Sequence, residues 1–136
     1  MSGRAIIIRD LDQAKAALAA ADSLGVPVTL RSVTGAAATL GAMVFVRIVA
    51  EARAAFPAVR VHAVLDCDGD PGLALNALRH GVDGVRCTVA DDVRRRLADI
   101  AAQYGAVLDD DPAPGFDLDR ADDPVAACRD WLAPTG

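Results

Sequence analysis

Lysine is almost absent from this chain. Lys15 is the only one, which excludes any mechanism that needs a lysine elsewhere. Histidine occurs only at His62 and His80, so neither a Ser/His/Asp nor a Cys/His catalytic set can be assembled. Aromatic residues make up 4% of the sequence, and the three cysteines are too few and odd in number for a disulfide framework. A reduced, cytoplasmic setting is the expectation from that cysteine usage. Positive charge is not in excess: the net charge is −5, which argues against a general grip on a nucleic-acid backbone. The first residues, Met1-Ser2-Gly3-Arg4, lead into a short apolar run that meets Arg9, Asp10 and Asp12, so no secretory signal is expected. Against these shortages, 53% of the 136 residues are hydrophobic. That is enough for a single α/β domain over 1–136 with a core of its own.

Two textures alternate. Short β-branched runs occur at Ala5–Arg9, Val26–Leu30, Val59–Leu65, Val85–Cys87 and Ala106–Leu108. Their apolar residues are mostly consecutive, as in parallel strands covered on both faces. Between them lie Ala/Leu-rich stretches of helical length, which predicts five βα units around a parallel sheet, three-layer α/β/α, flavodoxin-like or half-barrel, with the flavodoxin-like arrangement favoured. Asp10 with Gln13 predicts the cap of a first helix whose buried stripe is Leu11, Ala14, Leu18 and Ala21. Asp70-Pro71 and Asp123-Pro124 predict two more helix starts. Thr88 with Asp91 predicts a capping box for a helix with Val93, Leu97, Ile100 and Tyr104 inward. Gly25, Gly81 and Gly105 stand at expected helix ends. One long helix is expected from about Ala36 to Phe56; Arg47, Glu51 and Arg53 make it a buried or interface helix rather than a membrane span. Residues 109–123 read as a turn-rich acidic connection. The last helix, with Val125, Cys128, Trp131 and Leu132 apolar, is expected to cover the sheet if the fold is flavodoxin-like.

In parallel α/β sheets, loops and helix amino-termini converge at the carboxyl ends of the strands, where ligands gather. This sequence places its polar residues there. Arg31-Ser32-Val33-Thr34-Gly35 follows the second run, Asp66-Cys67-Asp68-Gly69-Asp70 the third, Cys87-Thr88 the fourth and Asp109-Asp110-Asp111 the fifth. Ser32, Thr34, Asp66, Asp68 and Thr88 are therefore candidate ligand-binding residues. Cys67, Asp68 and Cys87 are candidate metal ligands, with Zn²⁺ or Mg²⁺ as the ion matching thiolate or carboxylate donors. Ser32-Val33-Thr34-Gly35 lacks the glycines and the lysine of a Walker loop. Arg94-Arg95-Arg96 follows Asp91 and Asp92 at four-residue spacing, the mark of a charge-balanced exposed helix face.

The order Ala-Ala-Asp-Ser-Leu-Gly-Val-Pro-Val-Thr-Leu-Arg-Ser (20–32), a long helix, Phe56-Pro57-Ala58-Val59-Arg60-Val61, Leu65-Asp66-Cys67-Asp68 and Ala77-Leu78-Arg79-His80-Gly81-Val82-Asp83-Gly84-Val85 resembles the first half of a class II fructose- or tagatose-bisphosphate aldolase. The resemblance places Asp66 on the family's catalytic aspartate and Cys67 on a zinc-ligand histidine. The family's other zinc histidines and its phosphate-binding loops belong to later barrel strands with no counterpart here. The chain is also similar to response-regulator receivers, with Asp10, Asp66 or Asp68, and Thr88 in the corresponding places and Asp109 where their lysine stands.

Three functions are carried forward. The first is a non-catalytic domain binding a small molecule or metal at the carboxyl rim. The second is a metal-dependent aldolase-type lyase with Asp66 as acid/base. The third is a receiver-like regulatory module. A homodimer is expected in each case, with no nucleic-acid or membrane partner.

Overall fold

The computed structural model describes residues 4–134. Its strands are β1 (Ala5–Ile8), β2 (Val28–Ser32), β3 (Val61–Asp66), β4 (Gly84–Arg86), β5 (Val107–Leu108) and β6 (Phe116–Asp117). Its helices are α1 (Leu11–Leu24), α2 (Ala36–Thr39), α3 (Ala42–Ala55), α4 (Pro71–Arg79), α5 (Asp91–Gln103) and α6 (Pro124–Leu132), with a 3₁₀ turn over Leu118–Arg120. The strands form one open sheet in the order β5-β4-β3-β2-β1-β6. The expected layered α/β fold with a parallel sheet is present. The order corrects the favoured form: a flavodoxin-like sheet runs 2-1-3-4-5, whereas here the first five strands lie in chain order, as in a segment of a β/α barrel. The same order removes the receiver reading, which needs the flavodoxin-like arrangement.

The chain divides into two compact units. Among the described residues the first comprises 4–31, 48–62 and 113–134. Within it β1 pairs in parallel with β6, Ile6 opposite Phe116 and Ile7 opposite Asp117. Asp10 accepts the Gln13 N–H at 2.8 Å, and the Gln13 Oε1 accepts the Arg9 N–H at 2.8 Å, so two amides are satisfied as α1 begins. The helix ends at Gly25, whose φ of 67° lies in the left-handed region that glycine reaches without a Cβ penalty. Ala14, Leu18 and Ala21 are buried with Ile6, Ile8, Val28 and Leu30, while Leu11 is half-buried. α6 starts at Asp123, which accepts the Ala126 N–H at 3.2 Å, and it packs on α1. Cys128 and Leu132 are buried, but Val125 is exposed. Trp131 stacks on Phe116 with centroids 5.5 Å apart, donates its indole N–H to the Ala5 carbonyl at 3.0 Å, and carries the Arg4 guanidinium 3.9 Å above its ring.

β6 corrects the reading of 109–123 as an unstructured connection. Two residues are too few to show a period, and what holds them is non-local: Arg9 grips the Asp117 carboxylate with both guanidinium Nη atoms, one bond measuring 2.8 Å. Gly115 comes so close to β1 that a Cβ there would sit 2.7 Å from the Ile7 Cγ1. Gly115→Ala should cost on the order of 1 kcal/mol through overpacking, read as a lower urea midpoint at unchanged m-value.

The second unit comprises residues 32–47 and 63–112. β4 pairs in parallel with β3 and with β5. The single helix expected from about Ala36 to Phe56 is two: α2 closes at Leu40, and Gly41, at φ 90°, re-aims the chain into α3. Asp70 accepts the Leu73 N–H at 3.2 Å and Pro71 fills the first turn of α4, as expected. The Asp83 carboxylate accepts the Ala63 N–H at 2.8 Å, giving β3 a partner where the ladder begins. α5 departs from the sequence reading at both ends. Its N-cap is Ala90, with no side-chain bond, so Thr88 does not cap it; the Thr88 amide instead donates to the Asp68 carbonyl at 2.7 Å. Tyr104 falls at the C-cap with half its surface exposed rather than inward; the buried residues of α5 are Leu97 and Ala101. Arg96 pairs with Asp92 at 3.3 Å across one turn, as the spacing implied. Among the described residues no helix is long and apolar enough to cross a membrane.

Candidate functional site

The carboxyl ends of β3, β4 and β5 and the turn before α2, all within the second unit, frame a cleft of about 420 Å³. Thr34, Asp66, Asp68, Arg86, Cys87, Thr88, Val89, Arg94, Asp109 and Asp110 line it. Of the residues expected to bind a ligand, Thr34, Asp66, Asp68 and Thr88 are thus brought together. Ser32 is not among them: it is buried, and its hydroxyl accepts the Asp66 N–H at 2.9 Å and donates to the Val33 carbonyl at 3.0 Å.

Asp66, the last residue of β3, is fixed from several sides. Its Oδ1 accepts the Gly35 N–H at 3.0 Å and the Asp68 N–H at 2.8 Å, and its Oδ2 lies 4.0 Å from the Arg86 Nε. The turn that follows holds Asp68 at φ 50°, a left-handed conformation that asparagine and aspartate tolerate better than other side chains. That conformation is retained because the Thr88 amide takes the Asp68 carbonyl. Arg86, at the end of β4, donates through Nη1 to the Asp109 Oδ1 at 3.2 Å and to the Asp111 carbonyl at 3.0 Å. Asp109 Oδ1 also accepts the Asp111 N–H at 3.0 Å, so the chain leaving β5 is tied to β4. Arg94 of α5 pairs with Asp110. With Asp109 set against Arg86 and Asp110 against Arg94, the negative charge of the cleft centres on Asp66 and on the exposed Asp68. The cleft is a polar rim whose donors and acceptors are oriented by these hydrogen bonds and ion pairs.

All three thiols are pushed above their ordinary pKa. Burial pushes Cys67 up to about 12, with Cys87, Asp66 and Asp70 adding to the shift; burial, then Asp70, Asp66 and Asp68, raises Cys87; burial alone takes Cys128 to about 12. Iodoacetamide at neutral pH should therefore leave Cys67 and Cys128 unmodified in the folded protein and react only slowly at the half-buried Cys87, as read by peptide mass spectrometry.

The donor set does not suit zinc. Asp66 spends its carboxylate on two amides and an arginine, the Cys67 Sγ lies 3.7 Å from the Leu65 carbonyl in a site 1% exposed, and among the described residues no three His, Cys, Asp or Glu side chains converge as metal ligands do. His62 is half-buried in β3, and His80 caps α4 with its Nδ1 2.8 Å from the Asn76 carbonyl; neither lines the cleft. Asp10, the third acid of the receiver comparison, caps α1. The sequence reading missed Arg86 and Arg94 as cleft residues. A charged residue ending a three-residue strand was the available signal for Arg86, whereas Arg94 was hidden within a helix face whose local pairs already balanced. A second opening, of about 580 Å³, lies in the first unit beside Asp22, Gly25, Val26, Pro27 and Arg60, at the amino ends of strands.

No protein-family model matches the chain, and no curated protein does. Among solved structures, it is similar to a protein assigned as a fructose-1,6-biphosphate aldolase from Coccidioides immitis, with a TM-score of 0.58 and 21% identity. The match covers 76% of this chain and 37% of that one, so the chain spans little more than a third of the length of that structure. The likeness is one of fold and agrees with the barrel-like strand order.

Proposed function

We propose that this chain is a small non-catalytic α/β domain that binds a hydroxyl- or amine-bearing small molecule at the carboxyl ends of β3, β4 and β5. The observation that carries the reading is the cleft itself. Asp66 and Arg86 are held in place by hydrogen bonds and ion pairs, while Thr34, Asp68 and Thr88 line the same space. Two arginines already paired with aspartates offer little to a strong anion, whereas hydroxyl and ammonium groups find acceptors on Asp66 and Asp68 and hydroxyl partners on Thr34 and Thr88.

A thermal-shift series with xylitol, ribose and ethanolamine at millimolar concentration tests this. Stabilisation that saturates with probe in the wild type and is lost in Asp68→Ala supports it; the same shift in both proteins, or none with any probe, contradicts it. Aldolase-type lyase chemistry is the second reading, supported by the fold likeness and by the position of Asp66 at the end of β3. Near-stoichiometric zinc by elemental mass spectrometry of the purified protein would favour it over the first. The unfavourable donor set is why the non-catalytic reading is preferred.

A cytoplasmic homodimer completes the proposal. Met43 and Val44 on α3 are 68% and 47% exposed, an apolar pair suited to a second copy. A monomer by light scattering at micromolar concentration would count against it.

A further inference from the structure

Two of the three cysteines follow adjacent strands, and one of them, Cys87, lines the cleft. β3 and β4 are paired with Asp66 opposite Arg86, which makes Cys67 and Cys87 the next pair in register. The hydrogen bonds carry the alignment one step past the strands: the Cys67 N–H donates to the Arg86 carbonyl at 2.7 Å, the bond a residue aligned with Cys87 makes in a parallel ladder. Neighbouring strands run about 4.8 Å apart, within the Cα separation of roughly 4.4–6.8 Å that a disulfide spans. Residues in register on adjacent strands present side chains to the same face. Cys87 also adds to the upward shift of the Cys67 thiol, after burial. Their exposures differ in a useful way: Cys87 is half-buried and lines the cleft, whereas Cys67 is buried and does not line it.

We infer that Cys67 and Cys87 form a reversible cross-strand disulfide when the protein meets a peroxide, with Cys87 the first to be oxidised and Cys67 the residue that resolves it. The Cys87 sulfur attacks one peroxide oxygen; the O–O bond breaks, the sulfur gains a hydroxyl as a sulfenic acid, and the other oxygen leaves as water. The Cys67 sulfur then attacks the Cys87 sulfur. The S–O bond breaks, the S–S bond forms, and the departing hydroxide takes the Cys67 proton to become a second water. Two thiols are oxidised, one peroxide is reduced, and two waters leave. The bridge ties the turn carrying Asp66 and Asp68 to the end of β4 beside Thr88. Because Cys67 is buried and both thiols are pushed above their ordinary pKa, this is a slow response to sustained oxidant rather than a fast sensor. The inference stands on strand register and does not depend on the proposed ligand.

Purified protein treated with hydrogen peroxide, unfolded in the presence of iodoacetamide and digested with trypsin supplies the test. Cleavage at arginine separates the two cysteines into peptides 61–79 and 87–94. The expected product is those two peptides joined, released by dithiothreitol, with Cys128 fully alkylated. Cys67→Ser should instead carry sulfenic or sulfinic acid on Cys87. Full alkylation of Cys67 and Cys87 in the wild type after oxidant would overturn the inference. So would sulfinic acid on Cys87 with Cys67 free, or an intermolecular Cys87 link. The wild-type arm decides the matter even if the variant fails to fold.

Discussion

Truncating Phe45 to Ala is expected to remove about 3–5 kcal/mol of stability, the largest effect of any single substitution considered. Phe45 is the largest of the fully buried side chains, 1% exposed, and sits one turn into α3. Buried residues close to it in sequence include Ala36, Ala37 and Ala42, whose side chains are short, and a close-packed interior relaxes only partly around a void. A domain of this size holds only about 5–15 kcal/mol in total, so the variant should be close to unfolded at 37 °C. Ala50→Ser, on the same helix but exposed, should change stability by no more than about 0.5 kcal/mol. Urea melts of the pair check the contrast. Equal losses would mean that α3 is not packed as described.

Asp66→Ala is the second. Removing the carboxylate strips the acceptor from the Gly35 and Asp68 amides at once and takes one anion from beside Arg86. Leaving the part-buried Gly35 donor without a partner, with the exposed Asp68 amide turning to water, should cost about 2 kcal/mol. Asp66→Asn keeps an acceptor oxygen and should cost about 1 kcal/mol, so the two variants separate hydrogen bonding from charge. Hydrogen exchange at the Gly35 and Asp68 amides should quicken in Asp66→Ala and much less in Asp66→Asn. Equal behaviour of the variants would assign the effect to charge and contradict the hydrogen-bonding account of the turn.

Much of this architecture is legible in the residues because its causes are local. The capping aspartates Asp10, Asp70 and Asp123 announce their helices by sitting just before Leu11 or a proline, and each accepts the amide three residues on. Asp66 and Asp68 were identifiable as rim residues because a strand of consecutive apolar residues ends at them. What escaped was set by distant partners. β6 is two residues long and exists through its pairing with β1 and the Arg9 grip on Asp117, so no periodicity could reveal it. Thr88 has the spacing of a capping residue, yet its amide is claimed by the Asp68 carbonyl from another turn, and the helix begins without it. Arg94 lies among charges that balance along the helix, yet it pairs with Asp110 after β5. The break between α2 and α3 was visible as Gly41, but the apolar run around it masked the turn.

The central claim is that the cleft at the ends of β3, β4 and β5 is the binding site. Amide chemical shifts of ¹⁵N-labelled protein, followed through a titration with xylitol and with ethanolamine, test it most directly. The account predicts saturable shifts concentrated at Gly35, Asp66, Asp68, Cys87, Thr88 and Arg94 for at least one probe. Shifts centred on Asp22, Gly25, Val26 and Arg60, around the larger opening in the first unit, or no saturable shift with either probe, would contradict it.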